Sequence, residues 1–326
     1  MVDLQRDSCW VSTPKKQHFI PQFLLRNFAE GRPNKERLWT FDKRRGISYP
    51  ASVGDTAHEN RFYEGRSSDG AEIKAEGLTQ YVDGMGADVV RDVVERRQLP
   101  LTGLPFVALS YFVAAQMYRV PLVRNEMDFI RRVIIQKWGP EVRAMDDDRG
   151  VGDYSEADTK FASISSFVEE VPGIARLLQG KVWFLATARN SSFVLSDNPV
   201  VKHNHIDYWP RGSLGLSQVG IEINFPISPD LALQILCPKI AEEIHVTPEG
   251  YNMLVRQKKG IPVFFEKENV EFVNSLQVIR SERFIYAQRE EHLEIAREML
   301  VAHPDLAKPA SEKIVSDDQL ATPPLQ

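Results

Sequence analysis

Apolar residues recur at helical spacing in the first half of the chain and at strand spacing in the second half. Across residues 71–98 the apolar positions fall near a period of 3.6 residues, which predicts an amphipathic helix. The same period predicts helices over residues 105–138 and 156–178. Pro121 should kink the first of these two helices, because it removes one backbone hydrogen bond. We therefore expect a mostly helical first half.

Beyond residue 180, short runs of β-branched and aromatic residues replace the helical period. These runs predict strands at residues 181–186, 192–195, 220–226, 231–236 and 283–287. Helical spacing returns at residues 247–258 and 267–279 and in a last helix that ends near Leu300. Because helices precede strands without regular alternation, the pattern predicts an α+β fold. We expect a mostly helical first half followed by a small mixed or antiparallel sheet with flanking helices.

The region before the helical half carries signals of its own. Pro21 suits the first turn of a short helix that runs to about Phe28, since that position needs no backbone N–H. Residues 37–41 alternate between polar and apolar side chains, and residues 47–49 follow a turn of basic residues and glycine. This pattern predicts a β-hairpin.

The distribution of these elements predicts one folded domain. A chain of 326 residues with 43% hydrophobic residues can bury a substantial core. We place a single α+β domain at residues 16–302, with a helical subregion at 60–180 and a sheet-containing subregion at 181–302. A flexible polar leader is expected at residues 1–15. The proline-containing tail at residues 303–326 is predicted to be disordered.

The net charge and the cysteine content limit which binding partners and which cellular compartment we expect for this protein. The formal net charge is -5, so no overall basic field exists to hold nucleic acid, although a local basic groove stays open. Cys9 and Cys237 are too few for a disulfide framework and favour a cytoplasmic protein. Residues 99–118 carry no charge but include prolines, glycine and polar side chains, so we expect a buried helix without stable membrane insertion.

Two polar elements lie in the helical half. His18 precedes the helix that begins at Pro21, where its imidazole can act as general acid or base, ligate a metal, or orient the helix through hydrogen bonds. Gln116 and Arg119 are three residues apart and share one helical face beside Pro121. Arg119 can grip a phosphate or carboxylate while Gln116 orients the ligand, or it can form an internal clasp with an acidic residue.

Two further elements lie in the sheet-containing half. The Ser196-Asp197-Asn198-Pro199 segment follows a predicted strand, where Asp197 can take a proton or bind a metal and Asn198 can stabilise an oxyanion. The alternative is a turn in which Asp197 or Asn198 caps backbone N–H groups. Alternation on a strand would place His203, His205 and Asp207 on one face, as in a metal site, with an exposed polar loop as the alternative.

These elements together resemble a known family. The His-x-x-Pro opening at His18, the Gln-x-x-Arg-x-Pro element at Gln116 and the Ser-Asp-Asn-Pro turn at Ser196 resemble the bacterial domain of unknown function 4238 family. The matching His is the hallmark of that opening motif. The resemblance also implies that Glu72 or Asp83, on an acidic helix, is a partner of His18 or Arg119.

The candidate residues support two hypotheses about function. In the first, the protein is a hydrolase acting on a phosphodiester, nucleotide or nucleic acid. His18, Asp197 and Asn198 would be catalytic, Gln116, Arg119 and Ser196 would bind the anionic substrate, and a divalent metal is a candidate cofactor. In the second, it is a non-catalytic binding or interaction protein in which these residues form a buried structural network. The pattern leaves the oligomeric state open.

Overall fold

The structure is a computed structural model that describes residues 15–142, 155–206, 208, 214–244 and 246–313. Within these residues the helices are α1 (Gln22–Asn27), α2 (Glu76–Arg96), α3 (Gly103–Tyr118), α4 (Pro121–Val142), α5 (Glu156–Gln179), α6 (Pro238–Ile244), α7 (Pro248–Lys258), α8 (Lys267–Arg280) and α9 (Glu294–Ala302). Short 3-10 helices lie at Val53–Asp55, Glu290–Leu293, Pro304–Ala307 and Ala310–Lys313.

The strands form two larger sheets and two small ones. They are β1 (Lys16–His18), β2 (Arg37–Asp42), β3 (Ile47–Ser52), β4 (His58–Asn60), β5 (Glu64–Arg66), β6 (Glu72–Lys74), β7 (Val182–Ala188), β8 (Leu195–Ser196), β9 (Val201–Asn204), β10 (Ile221–Ser228), β11 (Leu231–Leu236), β12 (Val263–Phe265) and β13 (Phe284–Ala287). The first sheet has the order β12-β7-β11-β10-β9, in which only the β12–β7 pair is parallel. The second, β3-β2-β13-β8, is antiparallel.

The second sheet joins strands from an early and a late part of the chain. The predicted hairpin is confirmed, since Arg37 pairs with Ser52 and Asp42 with Ile47. Its inner strand then pairs with β13, which in turn pairs with β8. Because β8 leads directly into the Ser-Asp-Asn-Pro turn, this sheet fixes the turn against both the start and the end of the domain.

A layer of helices covers the first sheet. Helix α3 packs between α2 and α5, and its buried Phe112 reaches Phe225 of β10 with ring centroids 6.0 Å apart. Helix α1 is tied to the same strand, because the Asn27 side-chain amide donates to the Ile227 carbonyl at 2.8 Å. The main core therefore lies between the helices and the sheet.

The predicted α+β class is confirmed. The elements that differ from their predicted bounds do so for local reasons. Helix α2 begins at Glu76 instead of residue 71, because residues 72–74 pair with residues 64–66 as strands. The chain bends by 41° where Pro121 was expected to kink a single helix, and this bend separates α3 from α4. The sequence pattern also missed the short strands around residue 60 and the helix α6.

The domain division stays a prediction, since most of the predicted leader and much of the tail lie outside the described residues. Within the predicted tail, Ala310 and Ser311 are buried.

No single helix among the described residues is long and apolar enough to cross a membrane. The bent pair Gly103–Tyr118 and Pro121–Lys137 meets those criteria only when its two helices are taken together.

Close packing of α2 on α3 predicts opposite effects for two glycines of the same helix. A Cβ on Gly86 would lie 2.5 Å from the Phe112 ring, whereas a Cβ on Gly84 would meet nothing within 4 Å. Gly84→Ala should stabilise by about 0.5 to 1 kcal/mol through helix propensity. Gly86→Ala should destabilise by about 1 to 2 kcal/mol, because overpacking exceeds that gain. Urea unfolding of both variants checks this, and equal effects would contradict the packing.

Candidate functional site

The His18 backbone is anchored from two sides. It ends β1, which pairs with β4 so that His18 lies opposite His58. Its carbonyl accepts a hydrogen bond from the Tyr63 hydroxyl at 2.9 Å. The next carbonyl, of Phe19, accepts from the Gln116 side-chain amide at 2.9 Å. The opening stretch is therefore held in place by polar side chains of two other segments.

The His18 side chain lies beside a second imidazole. Its ring centroid is 5.5 Å from that of His58, and its Nε2 is 3.5 Å from the Gln22 side-chain nitrogen. Burial first, and then the neighbouring His58 and Lys16 charges, together lower the pKa of His18 to about 4. The imidazole is therefore neutral at pH 7 and serves as a hydrogen-bonding group in that state.

Arg119 lies at the bend between α3 and α4, and its side chain is fully buried. Its Nε donates to the Gln116 side-chain oxygen at 2.9 Å, and its Nη1 pairs with the Asp83 carboxylate from α2. Asp83 is thus the acidic partner that the family resemblance implied. Burial raises the pKa of Asp83, which the Arg119 charge opposes.

The same cluster contains two buried polar atoms without a partner among the described residues. They are Arg119 Nη2 and one carboxylate oxygen of Glu76. Burial also raises the pKa of Glu76 and of the fully buried Tyr63. Arg119, Gln116 and Tyr63 hence connect the opening stretch to helices α2 and α3 in one polar network, which we call the helix network.

Asp197 belongs to a different network. Its carboxylate accepts the backbone N–H groups of Glu282 at 2.8 Å, Arg283 at 2.7 Å and Phe284 at 2.8 Å. These donors lie in the turn between α8 and β13, and Asp197 itself is 3% exposed. Burial raises the pKa of Asp197 to about 6, against the opposing effect of the three N–H groups and of the nearby Lys43. The ionised form therefore prevails at pH 7.

Lys43 is the buried cation of this second network, which we call the turn network. Its Nζ donates to the Ser281 carbonyl, and the residue is 1% exposed. Burial lowers the pKa of Lys43 to about 8. Nearby, the Glu282 carboxylate accepts from the Ser311 backbone N–H at 2.8 Å and from the Asn125 amide at 2.7 Å. The turn network thereby reaches α4 and the last 3-10 helix.

Ser196 and Asn198 complete the turn. Ser196 Oγ lies 2.7 Å from the Gln277 side-chain oxygen and accepts from the Asn198 backbone N–H at 3.3 Å. The Gln277 amide donates to the Pro199 carbonyl at 2.9 Å, and the Asn198 amide donates to the Arg280 carbonyl at 3.2 Å. These contacts dock the segment on α8, and the nearby backbone N–H is capped by Ser196 and not by the Asn198 side chain, which donates to a carbonyl.

The predicted metal residues do not assemble among the described residues. The His203 ring packs edge-on against Phe272 with centroids 5.1 Å apart, while His205 Nδ1 is 3.7 Å from a Glu222 carboxylate oxygen. Asp207 lies outside the described residues. In the part of the chain that the structure describes, no group of three or more His, Cys, Asp or Glu side chains could hold a metal ion.

The structure brings some candidate residues together and leaves others apart. His18, Gln116 and Arg119 share the helix network, whereas Ser196, Asp197 and Asn198 share the turn network. Among the described residues, no hydrogen bond or ion pair joins a member of one set to a member of the other. Sequence analysis missed Lys43, Gln277 and Glu282, since they carry no local signal and approach the turn only through long-range strand pairing.

The buried Asp197 carboxylate predicts a stability effect. In Asp197→Asn, a side-chain NH2 group replaces an acceptor and faces backbone donors, so we expect a loss of about 2 to 4 kcal/mol in the free energy of unfolding. The exposed control Asp88→Asn should change stability by less than about 0.5 kcal/mol. Chemical denaturation at pH 7 measures both. A loss in Asp197→Asn no larger than that of the control would contradict the buried cap.

His18 predicts a dependence of stability on pH. The pKa of His18 is about 4 in the folded protein against its ordinary value of 6.5, so the unfolded chain binds more protons between these values. The free energy of unfolding should therefore contain a contribution that is present above pH 6.5 and is lost as the pH falls towards 4. His18→Gln removes this contribution and should show a shallower acid loss than wild type. Denaturation curves at pH 7.5, 6 and 5 test this.

The control for the pH experiment is His303→Gln, which replaces a solvent-exposed imidazole. Its stability curve should run parallel to that of wild type over the same pH range, because that side chain meets water in the folded and unfolded states. If His18→Gln also parallels wild type, the imidazole does not have the lowered pKa that its burial implies.

Comparison with known proteins identifies a family. A family model described as "Protein of unknown function (DUF4238)" matches residues 16–291. The match covers both networks. No curated protein and no solved structure matches the chain.

Proposed function

The chain belongs to the DUF4238 family, and we propose that it is a non-catalytic binding protein whose motif residues form its structural frame. The helix network and the turn network fix the junction between the helices and the two sheets. In this proposal the frame presents a binding surface to a partner or ligand, and neither network performs chemistry on it.

The single observation that carries the proposal is the environment of Asp197. A carboxylate that already accepts three backbone N–H groups, and that is almost completely shielded from solvent, has little capacity left for a substrate proton or a metal ion. Its raised pKa follows from that burial and does not require a catalytic role. The caps it provides are what the turn between α8 and β13 needs, since those N–H groups would otherwise lack partners.

The contacts of Arg119 support the same proposal. A guanidinium that clamps a substrate needs free donors directed into an open site. Arg119 instead donates to Gln116 and Asp83, its one nitrogen without a partner among the described residues, Nη2, is buried, and its side chain has no exposed surface. The hydrolase hypothesis is the second candidate, and it would require His18, Asp197 and Arg119 to act on one substrate. Their separate hydrogen-bond partners argue against that arrangement.

A double-mutant cycle on Arg119 and Asp83 tests the structural role. Arg119→Met alone should destabilise by about 2 to 4 kcal/mol, because it leaves the partly buried Asp83 carboxylate without its cation. Arg119→Met combined with Asp83→Leu should recover part of that loss, with a coupling energy of about 1 to 3 kcal/mol. Urea denaturation gives all four stabilities. Additive losses would contradict a mutual clasp.

The absence of catalysis is tested in the same preparations. Wild type, Asp197→Asn and His18→Gln are assayed on bis(p-nitrophenyl) phosphate and a nucleotide panel, with Mg²⁺ or Mn²⁺ added. We expect no turnover above that of a mock purification. Turnover by wild type that is lost in a folded His18→Gln or Asp197→Asn variant would establish the hydrolase instead.

A further inference from the structure

A cavity lies between the two networks. Its volume is about 440 Å³, within the range of small-molecule pockets. Met117 and Tyr118, which directly precede Arg119, line one side, and Asn198 of the turn lines another. We call this space the junction cavity. It is bounded by two of the three family motifs, those at Gln116 and Ser196, although neither network points a charged group into it.

Most of the wall is apolar. Helices α4 and α5 contribute Leu122, Val123, Ile174 and Leu177, and the segment after residue 213 contributes Leu216. Removing such a surface from water is favourable by roughly 25 cal/mol per Å² of apolar area. A ligand of this cavity must therefore have an apolar body.

Three charged side chains interrupt this wall. Lys202 comes from β9, Arg280 ends α8, and Glu126 comes from α4. Among the described residues neither cation forms a direct ion pair or a side-chain hydrogen bond. The buried cations Lys43 and Arg119 each have a close polar acceptor, whereas Lys202 and Arg280 are half-buried. Lys202 and Arg280 thus keep their donors available to the cavity.

The pKa shifts of Lys202, Arg280 and Glu126 indicate that the charges in the cavity wall are only partly balanced by one another. Burial lowers the pKa of Lys202 and of Arg280, and the Glu126 charge only opposes that effect. Burial likewise raises the pKa of Glu126. With all three groups ionised the cavity carries one net positive charge. A single added anion would neutralise it, whereas a dianion would meet the Glu126 carboxylate with excess negative charge.

We propose that the junction cavity binds a small organic acid that has one carboxylate and an apolar body. The carboxylate lies against the Lys202 ammonium and the Arg280 guanidinium, and the apolar body lies between α4 and α5. This assignment rests on the proposed binding function and names the chemistry of its ligand. It requires no reaction of the ligand.

Isothermal titration calorimetry on the full chain tests the assignment with 3-phenylpropionate and octanoate. Three further compounds separate the contributions: acetate lacks the apolar body, 3-phenylpropanol lacks the charge, and phenyl phosphate replaces the carboxylate with a phosphate. We expect saturable binding of the two apolar carboxylates, with the other three at least ten-fold weaker. Saturable binding of neither carboxylate, or equal binding of the alcohol or the phosphate, overturns the proposal.

Variants locate the binding site. Lys202→Gln should weaken binding by roughly ten- to a hundred-fold, since one charge-assisted hydrogen bond is lost. Lys202→Arg keeps the charge and should bind within a few-fold of wild type. Lys239→Gln, at an exposed lysine outside the cavity, should bind as wild type does. Thermal unfolding of each variant verifies that it is folded, and unchanged affinity in folded Lys202→Gln overturns the assignment.

The outcome is separable from that of the proposed function. Phosphodiester turnover that depends on Asp197 would refute the non-catalytic role while the titration of the junction cavity still gave its own answer. Conversely, the protein could show no turnover and the expected coupling energy between Arg119 and Asp83, yet bind neither carboxylate. The proposed non-catalytic function would then stand, and the assignment of a carboxylate ligand would be wrong.

Discussion

The Asp197 carboxylate accepts three consecutive backbone N–H groups at the point where α8 ends and β13 begins. A turn buried at that depth cannot obtain its hydrogen bonds from water, so its donors need an internal acceptor. One ionised side chain supplies all three bonds, and its own desolvation is offset by them and by the neighbouring Lys43. The position of β13, and with it the whole antiparallel sheet, depends on this contact.

The helix network performs the corresponding task on the other side of the junction. Gln116 uses both ends of its side-chain amide, since its nitrogen donates to the Phe19 carbonyl and its oxygen accepts from Arg119. Arg119 continues the connection to Asp83 on α2. A single side chain at the end of α3 thus positions the opening stretch, and the bend before Pro121 allows α4 to leave in a new direction. Gln116 and Arg119 are buried, whereas the Asp83 side chain keeps 27% of its surface exposed, and the structural role that we propose for these motifs rests on the buried contacts.

The sequence predicted local structure better than long-range arrangement. Helical periodicity identified α5 nearly to the residue, and alternation identified the β2–β3 hairpin. The pairing of that hairpin with β13 left no local trace, because its partners are separated by more than two hundred residues. The same limit applies to the site. The sequence offered Asp83 as a partner of Arg119, but Lys43 and Gln277 reach the turn only after the sheet has formed.

Among the described residues, the buried charges of the two networks differ from the charges that line the junction cavity. Arg119, Lys43, Asp197 and Glu282 each have close hydrogen-bond partners, as expected when desolvation of an unpaired ion is costly. Lys202 and Arg280 lose solvation beside an apolar cavity, and the charge of Glu126 opposes the effect of that burial without a direct ion pair in the described part of the chain. For stability alone, apolar side chains at these positions would fill the space at lower cost. Retaining two cations there is physically reasonable if an external anion completes their solvation.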